Sequence, residues 1–122
     1  MGAERPLVLL VEDDQDIRDA LAEMVEARGV GVKAASDGVE ALAVLRAGAR
    51  PTAVFLDKWM PNLDGVGVLA AMKADPALSQ IPVVWMSADP GQPPSVTDHL
   101  RKPFDVNALL EVLGSLCEAT AD

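Results

Sequence analysis

The sequence predicts an α/β protein, a parallel sheet with helices over both faces. Two observations predict it. Continuous apolar runs of strand length alternate along the chain with stretches of helical spacing. Those runs also stop abruptly at polar or acidic residues, as strands buried on both faces do where they leave the sheet. The length of 122 residues is that of one domain. Residues 1–122 therefore read as a single domain with a core over about 6–117. Many of the hydrophobic residues are Ala, so that core must rest on Leu, Val and Ile.

The first apolar run, 7–11, ends at Glu12-Asp13-Asp14 and reads as the first strand. From Asp16 the period changes: Ile17, Leu21, Met24, Val25 and Arg28 follow helical spacing, Asp14 reads as the N-cap, and Gly29 closes the helix. A weaker strand covers 30–35. Ser36-Asp37-Gly38 is a turn with a cap candidate, and Val39, Leu42 and Leu45 mark a second helix ending near Gly48. Pro51 breaks the chain before a third strand over 53–56, which ends at Asp57. A loop at 61–65 leads to a third helix carrying Leu69 and Met72, which stops before Pro76. A fourth strand over 82–86 ends at Ser87, and a fifth over 96–100 ends at Lys102-Pro103. Val106, Leu109, Leu110, Leu113, Leu116 and Cys117 form the stripe of a last helix. No repeat, low-complexity tract or linker divides the chain.

Composition removes several function classes. A formal charge of −9 makes duplex nucleic acid an unsuitable direct partner, because its phosphates would repel this surface. The apolar runs are too short to span a bilayer, so no membrane role is expected. Glu4-Arg5-Pro6 leads straight into a strand, which does not read as a signal peptide. Cys117, the only cysteine, excludes a disulfide framework and a thiolate metal site and reads as a small buried hydrophobe. A reducing, cytoplasmic setting is expected.

In an open α/β sheet, ligands bind outside the carboxyl ends of the strands. Here those ends carry Glu12 and Asp13, Asp57, Ser87 and Lys102. One acid at a strand end is most often a solvated loop residue or a cap, and one Ser or Lys is most often a turn or surface residue. Their convergence on one edge of one sheet is what argues for chemistry. A hard cation such as Mg²⁺ takes oxygen ligands from one or two carboxylates and leaves the rest to water and phosphate. Asp13 and Asp57 are the natural direct ligands, with Glu12 acting through water. Asp57 suits a nucleophile that attacks phosphorus, Lys102 a cation for a phosphate oxygen, and Ser87 a donor to another.

At these residues the sequence resembles the receiver domain of two-component response regulators. The resemblance lies in Leu10-Val11-Glu12-Asp13-Asp14, in 55–65 around Asp57 (Phe-Leu-Asp-Lys-Trp-Met-Pro-Asn-Leu-Asp-Gly), in Trp85-Met86-Ser87-Ala88, in Lys102-Pro103-Phe104, and in 36–42 at the opening of the second helix. It runs in order over essentially the whole chain. The resemblance implies a doubly wound five-stranded sheet of order 2-1-3-4-5. It implies that Asp57 takes a phosphoryl group from a sensor histidine kinase or phosphotransfer protein, with Mg²⁺ held by Glu12, Asp13, Asp57 and the backbone carbonyl of Trp59. Ser87 would be the switch hydroxyl and Lys102 the phosphate contact, and the Lys102-Pro103 bond is often cis in the family. A downstream protein or a fused output domain would be the partner. Such a domain is not an enzyme on other molecules: it catalyses only its own phosphorylation and dephosphorylation.

Three features depart from the family. His99 stands where a Tyr or Phe switch ring is usual, and is either that ring or an ordinary strand residue. Lys102 follows Ser87 by 15 residues, too few for a loop, a full helix and a strand. Residues 88–95, with Pro90, Gly91, Pro93 and Pro94, are therefore expected to replace the fourth helix by a loop or a turn. That loop is expected to be mobile, to order on phosphorylation, and to leave a groove beside the last helix. Trp59, two after Asp57, is expected to hinder water and slow loss of the phosphoryl group, against Asp89, which could orient a water. Two other readings compete with this one. A non-phosphorylated receiver-like interaction module would have lost a site residue, and none is lost. An aspartyl phosphatase would carry an acid where Trp59 stands.

Overall fold

The computed structural model describes residues 6–89, 93 and 95–120, with side chains described as far as 116. Its elements run β1 (Leu7–Val11), α1 (Gln15–Glu26), β2 (Gly31–Ala35), α2 (Gly38–Arg46), β3 (Ala53–Asp57), α3 (Gly65–Ala74), β4 (Val83–Ser87), β5 (Asp98–Arg101) and α4 (Val106–Thr120). The five strands form one parallel sheet of order β2-β1-β3-β4-β5. This is the doubly wound fold that the sequence predicts.

Alternation along the strands sorts the core onto two faces. Leu9 and Val11, Val54 and Leu56, and Val83 and Trp85 point to one side, where Leu42 and Leu45 of α2 and Val68, Leu69 and Met72 of α3 cover them. Val8, Leu10, Phe55, Val84, Met86 and Leu100 point to the other, under Leu21 and Val25 of α1 and Leu109 and Leu113 of α4. Every residue of β3 and β4 is buried, which is why both read as unbroken apolar runs. Because the strands are parallel, Val11, Asp57, Ser87 and Arg101 all end at one edge of the sheet.

The helices start where side chains cap them. Asp14, Asp37 and Asp64 accept from the backbone N–H groups of Ile17, Glu40 and Gly67. Gly29 closes α1 at a φ of 80°, a left-handed conformation that glycine adopts without penalty. The fifth strand begins at Asp98 rather than 96: the Val96 N–H turns back to the Pro93 carbonyl (3.3 Å), and Val96 is buried in the same core cluster as Trp85. Among the described residues between β4 and β5, none is helical. Of the loop expected to be mobile over 88–95, residues 90–92 and 94 lie outside the described residues, as do the side of the expected groove that they would form and the Cys117 side chain.

Candidate phosphoryl-acceptor site

The edge at which β1, β3, β4 and β5 end gathers the polar residues that the sequence singles out. Glu12 follows directly on β1, and its N–H still bonds to the Ala35 carbonyl of the neighbouring strand (3.1 Å). Arg18 of α1 donates to the Glu12 carbonyl (2.9 Å) and ties the strand end to the helix. The Glu12 side chain is buried and accepts from the Asp14 N–H (3.2 Å). Asp57 is the last residue of β3 and is also buried. Two carboxylates withdrawn from water need compensation, and Lys102 supplies it. Its Nζ lies 3.1 Å from Glu12 Oε1 and 3.1 Å from Asp57 Oδ1. Burial acts to lower the Lys102 pKa, but the Asp57 and Glu12 carboxylates together outweigh it and hold the ammonium above 10.5.

Asp13 is exposed, one residue beyond Glu12. Glu12, Asp13 and Asp57 each offer a carboxylate oxygen, and the three oxygens lie within 4.8 Å of one another. The Asp13 pKa is raised from its usual 3.8, first by desolvation and then by its hydrogen bond to Glu12 and that residue's charge. An all-oxygen set of like charges fits a hard divalent cation.

Ser87, at the end of β4, is buried, and its Oγ accepts from the Asp89 N–H (2.9 Å). Its carbonyl accepts from the Lys102 N–H (2.8 Å), which places β4 and Lys102 in register. The Lys102-Pro103 peptide is cis, as the resemblance implies. His99 pairs with Trp85 across β4 and β5, and its Nε2 is buried with no hydrogen-bond partner among the described residues.

Sequence reasoning passed over one pair. Lys58 directs its Nζ onto Asp89 Oδ2 at 2.5 Å, and the same ammonium lies 4.9 Å from the centroid of the Trp59 ring. The hydrogen bond and charge of Lys58 keep the Asp89 carboxyl below 3.8, with a smaller contribution from the Trp59 side chain. The Trp59 ring is mostly exposed. Lys58 and Asp89 lie one and two residues beyond the ends of the adjacent strands β3 and β4, but nothing in the sequence turns one toward the other.

The comparisons with known proteins agree with this geometry. The family model described as "Response regulator receiver domain" matches residues 8–114. The chain belongs to that family. Among curated proteins, the Response regulator MprA of Mycobacterium sp. (strain KMS) is 33% identical to the receiver domain over 121 residues, covering 93% of it and 51% of the relative. The DNA-binding dual master transcriptional regulator RpaA of Synechocystis is 30% identical, covering 94% of this chain and 50% of its own. The receiver domain thus spans about half the length of these relatives. Among solved structures, the chemotaxis response regulator CheY4 of Vibrio cholerae superposes with a TM-score of 0.84 at 26% identity, covering 93% of this chain and 99% of that one. The Francisella response regulator 1452 receiver domain gives 0.85 at 27%, covering 95% and 99%.

Proposed function

We propose that Asp57 accepts a phosphoryl group from a phosphohistidine on a sensor kinase or phosphotransfer protein. In that step an Asp57 carboxylate oxygen attacks phosphorus and the phosphorus–nitrogen bond breaks. The imidazole leaves and an acyl phosphate remains on the protein. The observation that carries this reading is the placement of Asp57: buried, beside the Lys102 ammonium, and within the group of carboxylate oxygens.

Glu12, Asp13 and Asp57, with the Trp59 carbonyl that the family resemblance adds, would hold Mg²⁺. The bound ion would lessen the repulsion between carboxylate and incoming phosphoryl group. Lys102 then pairs with one phosphoryl oxygen and Ser87 donates to another, which draws Ser87 from its bond with the Asp89 N–H. His99 follows as the switch ring. The Trp59 ring hinders in-line approach of water, so the acyl phosphate is lost slowly. The domain comprises 1–122, acts in the cytoplasm, and catalyses only its own phosphorylation and dephosphorylation. Its output passes to a downstream protein or to a fused domain, which the greater length of the curated relatives accommodates. The charge of −9 directs the receiver surface itself toward proteins rather than DNA.

Incubation with acetyl phosphate and Mg²⁺, followed by intact-mass measurement, tests this reading. One phosphoryl group is expected on the wild type and none on Asp57→Asn or in excess chelator. Trp59→Ala should take up the group and lose it faster. Absence of uptake would favour the non-phosphorylated interaction module.

A further inference from the structure

Lys58, which the proposed chemistry does not use, is joined to the loop after β4 by a closed set of contacts. Its N–H donates to the Met86 carbonyl (3.0 Å), and its carbonyl accepts from the Gly65 N–H (2.9 Å). The residue is therefore fixed between β4 and the start of α3. Its ammonium sits 2.5 Å from Asp89 Oδ2 and 4.9 Å from the Trp59 ring centroid. Asp89 is held from the other side, since its N–H is bonded to Ser87 Oγ (2.9 Å). Asp89 thus stands next to the Ser87 hydroxyl, with its carboxylate turned onto Lys58.

We propose that Lys58 is a positioning residue that prolongs the phosphorylated state by occupying the Asp89 carboxylate. The proposal rests on the phosphoacceptor reading of Asp57. Hydrolysis adds water to phosphorus as the bond from phosphorus to the Asp57 carboxylate oxygen breaks, returning the carboxylate and dihydrogen phosphate. A carboxylate near the reacting water accelerates that step by accepting its proton as the bond to phosphorus forms. Asp89, two residues beyond Ser87, is the acid we assign to that role, and while its Oδ2 accepts from Lys58 the carboxylate is held to the lysine. The pair is partly exposed, with side-chain exposures of 27% for Lys58 and 47% for Asp89, so its restraint is modest. A modest restraint suffices for a rate effect of a few-fold.

The test loads the full chain with acetyl phosphate and Mg²⁺, removes the donor, and follows loss of the group by intact mass. Lys58→Met should lose it about three- to fivefold faster than wild type, the range that a partly exposed ion pair supports. Lys58→Arg, which keeps a cation within reach, should restore slow loss. Lys58→Met combined with Asp89→Asn should also be slow, because the released acid is gone; a purely structural role for Lys58 would not produce that reversal. An unchanged or slower rate in Lys58→Met overturns the proposal, as does a double variant as fast as Lys58→Met alone. Uptake with unaltered loss rates would overturn this proposal only, whereas absence of uptake in the wild type would overturn the phosphoacceptor reading with it.

Discussion

Asp37 joins two segments that the sheet alone does not connect. One carboxylate oxygen accepts from the Glu40 N–H (2.8 Å) and caps α2, while the other accepts from the Asn62 amide (2.6 Å) in the loop after β3. Asn62 reaches it from a left-handed backbone, with a φ of 68°. The Glu40 N–H and then the Asn62 amide hold the Asp37 pKa below 3.8. The cap therefore contributes its full stability above pH 3.8, and that contribution is lost as the pH falls through the lowered folded value. Asp37→Ala should melt below wild type near neutral pH, and the two curves should converge in acid; a constant gap across the titration would contradict this. At this scale the sequence was legible where residue type and strand end coincide. Glu12, Asp13, Asp57, Ser87 and Lys102 follow from the single fact that parallel strands finish at one edge. The Lys58–Asp89 pair does not, because it depends on where two flexible side chains turn after their strands have ended.

The loop between β3 and α3 packs Met60 and Leu63 partly against the core and depends on close backbone approach at its end. A Cβ on Gly65 would stand 2.5 Å from the Asp57 carbonyl oxygen and 2.9 Å from the Lys58 Cα. A Cβ on Gly38 would stand 2.3 Å from the Leu63 carbonyl oxygen, so the opening of α2 presses on the same loop. Gly65→Ala must push on the backbone of Asp57, and the expected outcome is a loss of about 1–3 kcal/mol in a urea melt. Slower uptake from acetyl phosphate should accompany it, since the crowded atoms belong to Asp57, the proposed acceptor. Helix existence and strand order were legible because apolar period and strand-length runs are properties of the chain. Boundaries were less so. Asp64 lies within 61–65, whose turn-forming residues disguise its role as the cap of α3. Val96 is apolar and reads as strand, yet it is buried in the core ahead of the strand, which starts at Asp98.

Across the whole molecule, excess acid and a shortage of cations meet at Lys102. It is the last site residue in the sequence and the one that pairs with both Glu12 and Asp57, whose side chains are 2% and 6% exposed. Lys102→Met keeps most of the stem's packing and removes the charge. It should cost about 2–3 kcal/mol in a denaturant melt, below the cost of stranding a fully buried partner because the ammonium retains some water. A stability equal to wild type would mean that the two acids find compensation elsewhere. In chain order, β1 is flanked by β2 and β3, β4 adds beside β3, and β5 closes the far edge with Lys102 directly behind it. Lys102 follows β5 and its N–H bonds to the Ser87 carbonyl, so the cation that Glu12 and Asp57 share is delivered by the docking of the edge strand on β4 and leaves with it.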